Sequence, residues 1–123
     1  MTRCLSEAHF EAWGVSWLAT DRRAGEHAPA SAITPYGPAA DIGAMWSGQA
    51  LYDPSLIVAP TLVVRGDWDS LCADADASSL LSGLGSKDKA DVKIARATHL
   101  MHLESQRILL HDHVNAFMKR TMK

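Results

Sequence analysis

Apolar residues recur along this chain with two different periods, and the change of period divides it. Phe10, Trp13, Trp17 and Leu18 fall at helical spacing while Glu7 and Glu11 lie off that stripe, so residues 6–20 are expected to form an amphipathic helix. Its aromatic face is expected to pack into a core rather than to form a ligand cage. Over residues 21–40, Pro29, Pro35 and Pro38 with Gly25 and Gly37 interrupt both periods. This reads as a connecting loop, long enough to suggest a functional covering or disorder. A short helix is expected over residues 39–47. From Tyr52 the pattern sharpens. In "YDPSLI", Asp53 can cap a helical turn with Pro54 at its first position, and Pro60 introduces a strand over residues 61–65 that is apolar on both faces. A helix over 73–84, a loop at Gly83, Gly85 and Ser86, a second strand over 91–95 and a final helix over 104–121 complete the chain. The final helix carries an apolar stripe of Leu110, Val114, Phe117 and Met118. Strand, helix, strand, helix is an α/β pattern: a parallel βαβ unit with one more helix.

The 123 residues suffice for one domain with a core or for part of a larger fold. At 47% hydrophobic, 21% charged and a formal charge of −2, the chain is a globular composition with no basic excess for nucleic acid. Arg3 is followed by no apolar run of the secretory kind, and no stretch is long enough to span a bilayer, so a cytoplasmic location is the default. Cys4 and Cys72 stand far apart without CxxC spacing, which argues against a disulfide framework and a thiolate metal site.

In a parallel sheet the chemistry sits past the carboxyl ends of the strands. Here those ends carry "RGDWDSL", with Asp67 and Asp69, and "RATHLMHLE", with His99. Adjacent strands lie about 5 Å apart, so an acid past the first and an imidazole past the second can meet. Asp69 and His99 fit that placement, with Asp67 as the rival acid. A buried carboxylate bonded to one imidazole nitrogen fixes the tautomer, and the other nitrogen can then take a proton from a nucleophile. The order acid, then histidine, is that of the Ser, Asp/Glu, His arrangement on α/β-hydrolase sheets.

"YDPSLIVAPTLVVRGDWDSL" resembles the penultimate strand and acid loop of α/β-fold hydrolases, with a Gly-x-x-Asp turn from Gly66 to Asp69, and "ARATHLMHLESQRILLHDHVNAFM" resembles that family's closing histidine loop and helix. The likeness covers residues 50–118. It implies the C-terminal βαβα portion of an α/β-hydrolase domain over 51–123, preceded over 1–50 by a remnant of the helical cap or lid. It also implies Asp69 as triad acid and His99 as general base, with no cofactor and no metal. Thr98 stands where a glycine is frequent in the family. The nucleophile elbow, G-x-S-x-G, is missing. "GVSWL" around Ser16 lacks the second glycine and a preceding strand, and "GLGSK" at Gly83 to Lys87 falls on the amino side of the sheet.

The expected function is therefore the acid-and-base portion of an esterase-like hydrolase, inactive alone and acting on a small-molecule substrate once completed by an N-terminal part. The alternatives are a non-catalytic interaction module or a gene remnant. A sheet this small exposes an edge open to self-association. A histidine metal site from His99, His102, His111 and His113 is disfavoured, because His111 and His113 lie on different helix faces. Asp74 and Asp76 are expected to begin a helix favourably for its dipole, and Trp68 to pack beside the site.

Overall fold

The computed structural model describes residues 5–122. Two compact units emerge: Leu5 and Ser6 group with the chain from Asp53 onward, and Glu7 to Tyr52 form a second unit.

The Glu7–Tyr52 unit holds helix α1 (Glu7–Leu18), a 3-10 turn at Ala24–Glu26 and helix α2 (Gly37–Trp46). Asp21 organises the segment between the helices: its carboxylate accepts from Arg23 N at 2.8 Å and from Ile33 N at 2.8 Å. The region read as unbroken loop over 21–40 thus contains one turn of 3-10 helix and the start of α2. The aromatic stripe of α1 is a second correction. Phe10, Trp13 and Trp17 are 43%, 38% and 46% exposed, and their rings stack on one another at 5.6 Å centroid spacings instead of entering a core. Ala24 is the only buried residue of this unit among the described ones. So short a segment, broken by proline and glycine, has too little mass to cover three aromatic rings.

The larger unit contains strand β1 (Thr61–Gly66), helix α3 (Asp74–Gly83), strand β2 (Lys89–Ile94) and helix α4 (Arg107–Thr121). The strands are parallel and in phase, Thr61 pairing with Lys89 and Gly66 with Ile94. This is the expected βαβα arrangement at the level of a two-stranded α/β unit. β2 begins two residues before the expected start. Its burial alternates, with Ala90, Val92 and Ile94 inward and Lys89, Asp91 and Lys93 exposed. Ile94, Ala97 and Met101 form the core, with Val64, Val92 and Leu110 packed against it. Of the expected α4 stripe, Leu110, Val114 and Phe117 are partly buried and Met118 remains exposed.

The other corrections concern boundaries. Asp53 caps a 3-10 turn at Pro54–Leu56, its Oδ1 accepting from Ser55 N at 2.9 Å. α4 starts at Arg107, not at Glu104, because Glu104 is drawn into the core and forms an isolated antiparallel bridge with Leu5. Among the described residues no helix is long and apolar enough to cross a membrane.

Candidate functional site

Two glycines let backbone segments meet at opposite ends of the sheet. At the amino end, a Cβ on Gly85 would lie 2.0 Å from Ser55 O. At the carboxyl end, a Cβ on Gly66 would lie 2.1 Å from Ala97 O, so β1 must end in glycine for the chain leaving β2 to pass. The strand ends are then laced together, Asp67 N donating to Ile94 O and Trp68 N to Ala97 O, each at 3.0 Å.

The two acids of the β1 exit have separate roles. Asp67 Oδ1 accepts from the backbone N of Arg96, a residue in the left-handed region (φ 56°). Such a conformation costs a non-glycine residue about 1–2 kcal/mol, and the Asp67 carboxylate offsets it. Asp69 faces the histidine instead. Its Oδ1 accepts from Leu71 N at 2.8 Å and Cys72 N at 3.1 Å, and its Oδ2 lies 3.0 Å from His99 Nδ1. The Asp69 side chain is 4% exposed and that of His99 52%. Burial pushes the Asp69 carboxyl upward, but the Leu71 N–H, the His99 ring and the Cys72 N–H together outweigh it and hold the group below the usual carboxylate range.

The loop bearing Asp69 is braced from both sides. Arg65, at the end of β1, grips Asp91 in β2 with Nε and Nη2 at 3.0 and 2.7 Å, and its Nη1 bonds Asp74 at the start of α3. Lys93 Nζ reaches the same Asp74 at 2.8 Å. Asp74 therefore anchors α3 to the strand ends, a role beyond the dipole effect expected of it. Asp76 does serve the helix start, its carboxylate accepting from Ala73 N at 2.9 Å.

The loop bearing His99 is braced by a group that residue patterns did not single out. Glu104 is 1% exposed, and its two carboxyl oxygens accept from Thr98 N, at 3.0 Å, and from Thr98 Oγ1. Thr98 Oγ1 in turn accepts from Leu100 N at 3.1 Å. Thr98, noted as a departure from glycine, is what Glu104 holds. An acid five residues after a strand-end histidine, where a helix was expected to begin, was the available signal.

Cys72 completes the cluster, its Sγ 3.8 Å from His99 Nδ1. Burial pushes its thiol up and the Asp69 charge adds to this, the reverse of the lowering that activates a cysteine. Ser16 is no substitute nucleophile: its Oγ donates to Ala12 O within α1 at 3.0 Å. His102, His111 and His113 are exposed and join no donor cluster among the described residues. Trp68, expected to pack beside the site, is 51% exposed. Cys4 lies outside the described residues. A depression of about 240 Å³ between β1 and α3, lined by Val63, Ala77 and Leu80, opens onto Asp69 and His99.

Comparison of the chain with protein families, with characterised proteins and with solved structures finds no match in any of the three.

Proposed function

We propose that this chain supplies the acid and the base of an α/β-fold hydrolase, in its C-terminal βαβα portion. The observation that carries this reading is the 3.0 Å contact from a nearly buried Asp69 to Nδ1 of a half-exposed His99, at the carboxyl ends of adjacent parallel strands. Asp69 holds the imidazole as the Nδ1–H tautomer and stabilises the imidazolium. Nε2, which no group bonds among the described residues, takes the proton of a nucleophile and later returns it to the leaving group. The serine and the oxyanion donors come from a G-x-S-x-G segment outside these residues, upstream or on a separate chain. The depression beside the dyad is below the ~300–1,000 Å³ of ordinary ligand pockets, as suits a substrate site that a second part completes.

The test is reconstitution. The chain alone should hydrolyse a chromogenic ester no faster than an unrelated protein of equal histidine content. Co-expressed with an N-terminal hydrolase part containing the elbow, it should gain activity that His99→Ala abolishes. Asp69→Asn should lower kcat by up to about 10⁴-fold through the wrong tautomer. Asp67→Asn keeps an acceptor for Arg96 N–H and should leave turnover nearly intact. Turnover by the chain alone that ignores His99→Ala sinks the reading.

A non-catalytic interaction module is the second reading, favoured by one observation: among the described residues β1 and β2 pair only with each other. Both outer edges then present backbone donors and acceptors to an incoming strand. A reconstituted complex that forms equally well with His99→Ala and never turns over substrate would favour it.

A further inference from the structure

Cys72 has no part in acid–base chemistry, yet its sulfur approaches the same imidazole nitrogen that Asp69 bonds. One donor atom from each of Asp69, Cys72 and His99 lies within 4.8 Å of the others, and these three are the group close enough to share an ion among the described residues. The donors are a carboxylate oxygen, a sulfur and an imidazole nitrogen, a mixture that suits zinc and not the all-oxygen preference of magnesium or calcium. Zinc bonds of about 2.0–2.3 Å at tetrahedral angles place neighbouring donor atoms roughly 3.3–3.6 Å apart. The observed Nδ1 to Oδ2 and Nδ1 to Sγ separations are 3.0 and 3.8 Å, on either side of that spacing.

The supports of the three groups are already in place. Asp69 and Cys72 share one turn, closed by Asp69 Oδ1 on Leu71 N and Cys72 N, which leaves Oδ2 for another partner. His99 comes from beyond the carboxyl end of the neighbouring strand, on the loop that Glu104 holds through Thr98. Outer partners of this kind orient metal ligands.

We propose that Asp69, Cys72 and His99 form a three-ligand zinc site with a fourth position open to water or a small ligand. The cation takes Nδ1 in place of the proton shared with Asp69, and that proton passes to Nε2. The thiol proton leaves to solvent, since a coordinated thiol is deprotonated. Thiolate and carboxylate together balance the two charges of the ion. Zinc binding requires no nucleophile and no partner chain, and the ion and the proposed acid–base pair exclude each other, because a bound cation occupies Nδ1 and Oδ2 and leaves the proton on Nε2.

The full chain, freed of metal, is titrated with Co²⁺ as the spectroscopic probe. The expected result is saturation at one equivalent, with a thiolate-to-cobalt charge-transfer band and visible bands of tetrahedral intensity, all removed by Zn²⁺. Cys72→Ser should abolish the charge-transfer band, whereas Cys4→Ser, which retains Cys72, should keep it. By competition, Cys72→Ser and His99→Ala should each weaken Zn²⁺ binding by at least ~100-fold, the upper end of what losing even an outer partner costs. The double variant His111→Ala, His113→Ala should bind as the parent does. Zn²⁺ should also raise the urea midpoint of the parent chain, which distinguishes a folded site from capture by unfolded thiols. Absence of the band in a parent chain whose circular dichroism shows it folded overturns the proposal. So does a band that survives Cys72→Ser or disappears in Cys4→Ser.

Discussion

Asp69 is held in its charged form by two backbone N–H groups and an imidazole, so its folded pKa lies below its unfolded value of about 3.9. The stability it contributes is complete above the unfolded value and is lost as pH falls through the folded one. Asp69→Asn, which does not titrate, should lose less stability between pH 5 and acid than the parent does. Urea unfolding at several pH values reads that difference directly; parallel curves would show that the Asp69 contacts do not favour its charge. Glu104 tests the loop past the neighbouring strand. With Gln in its place, Oε1 can still accept from Thr98 N, but the amide N–H₂ then faces Thr98 Oγ1, whose hydroxyl proton loses its acceptor in a site that is 1% exposed. A mispaired buried group costs about 1–3 kcal/mol, so Glu104→Gln should lower unfolding stability by that amount, and Thr98→Val, which strips a partner from both Glu104 Oε1 and Leu100 N, by at least as much. Asp69 and His99 were legible from their order and spacing past two strands. The task of Asp67 was not, because it depends on where the Arg96 N–H points.

At the scale of elements, the apolar run "TLVV" and the breaker Gly66 marked β1 well, since a buried strand and its exit turn are both local signals. β2 was placed two residues late. Lys89 looks like a solvated residue by charge, but its Nζ donates to Leu84 O at 3.1 Å and to Leu81 O, meeting carbonyls at the end of α3 while its backbone starts the ladder. Glu104 displaced the start of α4 for a related reason: its side chain is committed to Thr98. The close crossing at Gly66 gives a prediction at this scale. Gly66→Ala places a methyl group against the Ala97 backbone, which cannot swing aside as a side chain would. The cost should reach about 3 kcal/mol, the upper end of over-packing, and the Asp69 to His99 contact should be lost. Gly85→Ala meets Ser55 O at the other end of the sheet and should destabilise similarly while leaving the His99 ring signals in NMR unchanged. Equal effects of both variants on those signals would mean that the two strand ends do not move independently.

At the scale of the molecule, a two-stranded parallel sheet is too small to be self-sufficient, because such strands are ordinarily flanked by others and covered on both faces. Lys93 and Asp91 keep one face of β2 charged, but nothing among the described residues pairs the outer edges of either strand. The purified chain should therefore sediment above its 13.3 kDa monomer mass or aggregate, and should unfold with low cooperativity. A monomer with a sharp thermal transition at moderate concentration would contradict this. The exposed rings of Phe10, Trp13 and Trp17 act in the same direction, since apolar surface of this kind favours association.

Periodicity and turn residues alone determined the order strand, helix, strand, helix, the capping role of Asp53 and the approach of an acid and a histidine, because each follows from local geometry or from the fixed spacing of parallel strands. Only the tertiary structure decided that Asp67 serves the Arg96 N–H, that Cys72 joins Asp69 and His99, and that Glu104 serves the histidine loop and not a helix start. Those outcomes depend on groups brought together from positions 29 and 27 residues apart, across Gly66 and Ala97, or on a carboxyl drawn into the core. The fate of the α1 aromatics was also beyond a periodic pattern. A helical stripe shows which residues share a face, but whether that face is buried depends on how much chain there is to cover it.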